Sequence, residues 1–163
     1  MSGKLSAEAE QLGTERIAAI RQAVRPDIEI LIDCHGRFDV PTAIRLGKAL
    51  EPYDIFWFEE PVPVESTHAL RQVRDKVSVP ICVGERLHTR WEFVPILENE
   101  LADFIMPDVT WTGGISEMKK IATMTEAKWA RPGVGAEPLP CRDFQGEIEC
   151  LRCVYRPPSQ HQR

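Results

Sequence analysis

The sequence lacks any apolar run near the ~20 residues of a membrane span. It has no excess of positive charge: 20 Lys and Arg stand against 25 Asp and Glu, a net charge of −5. Without a basic footprint, nucleic acid is not an expected partner. The cysteines number five, an odd count, and Cys34 and Cys82 fall inside predicted strands; reduced thiols fit better than a disulfide framework. Cys150 and Cys153 form a lone CxxC, with neither a second CxxC nor a histidine pair to complete a zinc site. The opening stretch, MSGKLSAEAEQLGTER, has no apolar core of the kind a secretory signal needs. A soluble, cytoplasmic protein is the expectation. With 163 residues, 43% of them hydrophobic and 28% charged, the chain has the size and composition of one globular domain.

What the sequence does contain is a repeated alternation. ERIAAIRQAV carries Ile17, Ile20 and Val24 at helical spacing, and IEILID after it reads as a strand. In DVPTAIRLGKALEP, Asp39 suits a cap, Pro41 a first turn and Pro52 a stop. YDIFWFEE is a second strand, continuously apolar as strands covered on both faces are, with Trp57 and Phe58 as core aromatics. STHALRQVRDKV puts Leu70, Val73 and Val77 on one helical face, and VPICVGE is a third strand. TRWEFVPILEN opens on a capping-box spacing, Thr89 to Glu92, though Pro95 interrupts it. LADFIMPD is a fourth strand, and GGISEMKKIATMTEA a helix with Ile115, Met118, Ile121 and Ala122 facing in. Strands alternating with helices of this length predict an α/β fold of βαβ units on a parallel sheet. Three stretches result: a polar segment over 1–13, the patterned region over 14–129, and 130–163, which has no sustained period and reads as irregular or disordered.

Each predicted strand ends on an acid: Asp33, Glu59, Glu85 and Asp108, spaced 26, 26 and 23 positions apart. That is the length of one strand-loop-helix-loop unit, so the acids recur at the carboxyl edge of the sheet, the rim where α/β proteins bind ligands. A single strand-end acid more often caps a helix or pairs with an arginine, here Arg37 or Arg86. Three on successive strands crowd like charge that a divalent cation relieves, and an all-oxygen set favours Mg²⁺ or Mn²⁺. His35, two residues beyond Asp33, is placed by strand alternation on the same face. It can act as a general acid or base beside the metal or hold a carboxylate by a hydrogen bond. Arg37 and Arg86 can meet an acidic substrate, and Trp111 can line its pocket. Trp91 falls in a loop, and His68 and His88 read as surface residues. A nucleotide-binding reading finds no G-x-G-x-x-G after a strand. Gly113–Gly114, which can offer N–H groups to an anion, reads more simply as the start of a helix.

LIDCHGRFD, FWFEEPV, VGERLHTRWEF and MPDVTWTGGISEMKKIATMTEA, in this order, resemble successive strand ends of the enolase superfamily, in its mandelate racemase and muconate lactonizing enzyme branch. Asp-x-His at 33–35 with Gly-Glu-Arg at 84–86 is most similar to sugar-acid dehydratases of the galactonate dehydratase kind. The resemblance covers about residues 14 to 127. It implies an incomplete (β/α)₈ TIM-type barrel of about four βα units, corresponding to strands three to six, in a family with a separate capping domain. It implies Asp33, Glu59 and Glu85 as Mg²⁺ ligands, the metal stabilising the enediolate left when the α-proton of a sugar acid is removed. It implies His35 as the acid that helps the β-hydroxyl depart, and Asp108 as the partner of a seventh-strand histidine. That histidine is missing from KWARPGVGAEPLP; His161, in the polar tail, is not assigned, and the family's Lys-x-Lys is absent. The expectation is therefore a truncated dehydratase-like chain with an incomplete acid–base set. The alternatives are a racemase or epimerase of the same superfamily, or a non-catalytic half-barrel that self-associates through its open sheet edges.

Overall fold

The computed structural model describes residues 3–129. Along them run α1 (Ala7–Ala23), β1 (Ile30–Asp33), α2 (Val40–Leu50), a 3₁₀ turn (Glu51–Tyr53), β2 (Ile55–Glu59), α3 (Thr67–Arg74), β3 (Ile81–Val83), α4 (Thr89–Glu98), β4 (Phe104–Ile105) and α5 (Ile115–Trp129). The predicted alternation of strand and helix is present. The expected irregular tail, with Cys150, Cys153 and His161, lies outside the described residues. The chain divides into two compact units, one ending at Ile81 and the other beginning at Cys82. No helix among the described residues is long and apolar enough to cross a membrane.

In the first unit β1 and β2 pair in parallel, Ile32 opposite Phe58 and Asp33 opposite Glu59. The Phe58 N–H donates to the carbonyl of Pro80 at 2.8 Å. Asp39 caps α2, accepting from the Thr42 N–H at 2.9 Å, with proline in the first turn, where its missing N–H costs nothing. The helix buries Thr42, Ala43, Leu46, Gly47 and Leu50. Gly47 is required by close approach, since a Cβ there would lie 2.6 Å from Val77 Cγ1. Ser66 caps α3, and Leu70, Val73 and Val77 are buried together with Phe58 and Ile81, as the spacing predicts. Burying each such side chain contributes roughly 1.5–3 kcal/mol.

The first helix departs from the sequence reading. It starts at Ala7, inside the segment read only as polar, because the Ser6 side chain accepts from the Ala9 N–H at 3.2 Å and supplies the missing cap. It buries no residue, and Ile20, one of the apolar residues at helical spacing, is exposed. Polar contacts tie it to α2: the Arg45 guanidinium donates to Glu10, Nη2 to Oε1 at 2.5 Å and Nε to Oε2 at 3.0 Å.

In the second unit β3 and β4 pair in parallel, Cys82 opposite Phe104 and Val83 opposite Ile105. Both are shorter than the apolar runs suggest. Phe93, Ile96 and Leu97 of α4 and Met118, Ile121 and Thr125 of α5 are buried where the two helices pack. Ile115, expected inside, is 77% exposed, and Ala122 is exposed too: the buried face of α5 follows Met118, Ile121 and Thr125, a stripe that leaves both outside. The N-cap of α4 is His88 rather than Thr89. Glu92 accepts from the His88 N–H at 2.6 Å, which is the returning half of a capping box shifted by one residue. Trp91 lies within α4, not in a loop, and the helix runs through Pro95.

Candidate metal and acid–base site

Asp33 and Glu59 are the final residues of β1 and β2 and are register partners, so their side chains leave adjacent strands at one level. The Glu59 side chain is buried beside Trp57, whose indole Nε1–H donates to Oε2 at 3.1 Å. Sequence reading treated Trp57 as packing alone. Its i, i+2 spacing from Glu59 is the signal that the two share a strand face. Beyond β2, Glu60 takes a left-handed φ of 43°, and its carbonyl accepts from the Gly36 N–H at 2.7 Å.

His35 meets Asp33, though not by strand alternation. The strand ends at Asp33, and His35 and Gly36 turn through left-handed φ of 55° and 63°. The turn is tied by Asp33 itself: Oδ1 accepts from the His35 backbone N–H at 2.8 Å, and Oδ2 lies 2.5 Å from His35 Nδ1. The Nδ1 edge of the ring thus faces Asp33, and Nε2 lies on the outer edge. Between Asp33 and His35, Cys34 is buried, with a free thiol. Burial pushes its thiol far above the ordinary range, and the negative charges of Asp33 and Glu59 push it the same way. It is therefore a packed apolar group, not a nucleophile. Arg37 is exposed, its N–H donating to the Cys34 carbonyl.

In the second unit Glu85 follows β3 by two residues. Gly84 sets its position. That residue has φ 138° and passes so close to Met106 that a Cβ would meet Met106 backbone atoms at 2.9 Å, so only glycine fits. Arg86 Nε lies 3.6 Å from Glu85 Oε1. Asp108 is three residues beyond β4, in a loop. Its Oδ1 accepts from the Thr110 N–H at 2.7 Å, the Thr110 hydroxyl at 2.5 Å and the Trp111 N–H at 3.1 Å. This acid thus shapes its own loop, the plainer of the two roles open to a strand-end carboxylate. The Gly114 N–H donates to the Val109 carbonyl at 2.8 Å rather than waiting for an anion. Trp111 is 59% exposed, its ring centroid 5.2 Å from that of His88.

The described structure thus joins Asp33, His35 and Glu59 in one unit, and Glu85 with Arg86, and Asp108 with Trp111, in the other. Asp33, Glu59 and Glu85, the ligands the family resemblance implies, are all carboxylates, and hard oxygen donors suit Mg²⁺ or Mn²⁺ and not zinc.

Comparison with known proteins gives a consistent result. The family described as Enolase C-terminal domain-like matches residues 3–139. A D-galactonate dehydratase family member of Streptomyces bingchenggensis is 38% identical over 72% of this chain and 28% of its own. An arabinonate dehydratase of Saccharolobus solfataricus is 36% identical over 76% of this chain and 33% of its own. Among solved structures, an enolase superfamily member from Salmonella Typhimurium superposes with a TM-score of 0.75 at 41% identity, over 78% of this chain and 32% of that one. A mandelate racemase/muconate lactonizing enzyme-like protein from Rubrobacter xylanophilus gives 0.76 at 42% identity, with the same shares. The chain spans about a third of the length of the relatives it matches. Its α/β fold is that of part of their barrel domain.

Proposed function

Because the chain belongs to the Enolase C-terminal domain-like family, we propose that it serves the Mg²⁺-dependent dehydration of sugar acids, beginning with removal of the proton α to the carboxylate. Asp33, Glu59 and Glu85 hold the ion, with Mn²⁺ as an alternative. When bound, such an ion supplies positive charge against the negative charge that develops on the substrate carboxylate. The observation that carries this reading is the register pairing of Asp33 with Glu59 at the carboxyl ends of β1 and β2.

His35 is the acid on the leaving-group side. Its Nδ1 is committed to Asp33, so Nε2 is the outer ring nitrogen; in the imidazolium form it carries the proton that passes to the departing β-hydroxyl, which leaves as water. Arg86 and Arg37 receive the anionic substrate, and Trp111 offers a flat apolar wall to its carbon chain. Asp108 is assigned the orienting of a histidine partner, the role the family resemblance implies. The dehydratase names borne by the relatives favour dehydration over racemisation. The buried free thiols of Cys34 and Cys82 suit the cytoplasm. The test is turnover of galactonate- and arabinonate-type acids with Mg²⁺, followed as keto-deoxy acid product. The reading expects loss of product in both Glu59→Gln and His35→Asn; full turnover by Glu59→Gln contradicts it.

A second reading, self-association through β1, is favoured by Leu31, which is 41% exposed on the strand face that carries Asp33. A dimer in sedimentation supports it, and a monomer at all concentrations overturns it.

A further inference from the structure

We propose that Glu117 is a positioning residue for Glu85, acting through the first turn of α4. The proposal rests on the reading of Glu85 as a metal ligand.

The loop from Gly84 to His88 carries Glu85 between two fixed ends. At one end Gly84 lies against the Met106 backbone, and the Leu87 N–H closes a turn onto the Gly84 carbonyl at 3.1 Å, with Leu87 buried. The other end is the start of α4, where Glu92 accepts from the His88 N–H at 2.6 Å. His88 makes no side-chain cap. Thr89, a β-branched residue, sits at a left-handed φ of 46°, a conformation that persists only where its surroundings impose it.

Glu117, on α5, holds the residue that follows. Its Oε1 accepts from the Arg90 backbone N–H at 2.9 Å, one of the donors that a helix start leaves without an intrahelical acceptor. The Arg90 guanidinium grips the same carboxylate, Nη1 lying 2.9 Å from Oε1 and 2.8 Å from Oε2. Lys120 Nζ stands 3.5 Å from Oε2. The Glu117 side chain is 15% exposed, so water competes weakly for these contacts. A carboxylate at the N-terminus of α4 is also favoured by the helix dipole. One side chain on α5 therefore pins the far end of the loop that presents Glu85.

Two substitutions separate position from charge. Glu117→Asp keeps the charge but is one methylene too short to reach Arg90. Glu117→Gln loses the charge but keeps an oxygen that can accept from the Arg90 N–H. In a Mn²⁺ titration of the full chain, with melting followed in parallel, wild type binds and Glu85→Gln does not. The expected result is that Glu117→Asp binds Mn²⁺ about tenfold more weakly, the usual effect of disturbing a group that holds a ligand in place, while Glu117→Gln stays near wild type. The reverse order assigns the effect to charge and overturns the proposal. Wild-type affinity in Glu117→Asp, with or without a lower melting temperature, overturns it too. If Glu85→Gln keeps its Mn²⁺, the metal reading fails and this inference with it.

Discussion

Asp33 and Glu59, the last residues of β1 and β2, face each other across one step of a parallel ladder. Neighbouring strands lie about 4.8 Å apart, so the two side chains leave the sheet side by side. The Asp33 carboxylate meets His35, and Glu59 accepts from the Trp57 indole.

Glu59→Gln should keep the fold and lose the metal. The amide retains an oxygen for the Trp57 N–H and nearly the same volume. Isothermal titration with Mg²⁺ is expected to show affinity reduced at least tenfold, roughly the effect of losing one charged ligand from three, with a melting temperature close to wild type.

Gly84→Ala should destabilise the second unit. The added methyl meets the Met106 backbone, and φ 138° is strained for any residue with a Cβ. A cost of about 1–3 kcal/mol is expected, read as a lower urea midpoint; an unchanged midpoint contradicts the close approach.

The α1–α2 contact should weaken in acid. The Arg45 side-chain hydrogen bond holds the Glu10 carboxyl below its ordinary range. A carboxyl depressed by folding contributes stability that is complete above its ordinary value and is lost as pH falls through the lowered one. Because α1 buries no residue, its amides should lose exchange protection in that acid window before those of α2 do. Arg45→Ala should produce the same loss at neutral pH, and equal protection of the two helices across the window would contradict it.

Much of this was legible in the sequence. Alternating apolar runs and capping signals located β1, β2, α2 and α3, and the spacing of the strand-end acids placed Asp33 and Glu59 at the ends of β1 and β2, where they are register partners. What escaped were features set by local polar geometry. A serine cap starts α1 at Ala7, ten residues before its apolar spacing begins at Ile17. His35 reaches Asp33 through a left-handed turn that alternation cannot describe. Asp108 is bound into a hydrogen-bonded loop, although its apolar run reads as unbroken strand. The Glu117–Arg90 contact joins residues 27 positions apart on different helices, and no periodicity announces it.

The most direct measurement is anomalous diffraction from crystals grown with Mn²⁺. The account predicts one strong peak with oxygens of Asp33, Glu59 and Glu85 each about 2.1 Å away, the distance of octahedral Mg²⁺-type coordination. A peak bound elsewhere, or no peak at saturating Mn²⁺, would contradict it.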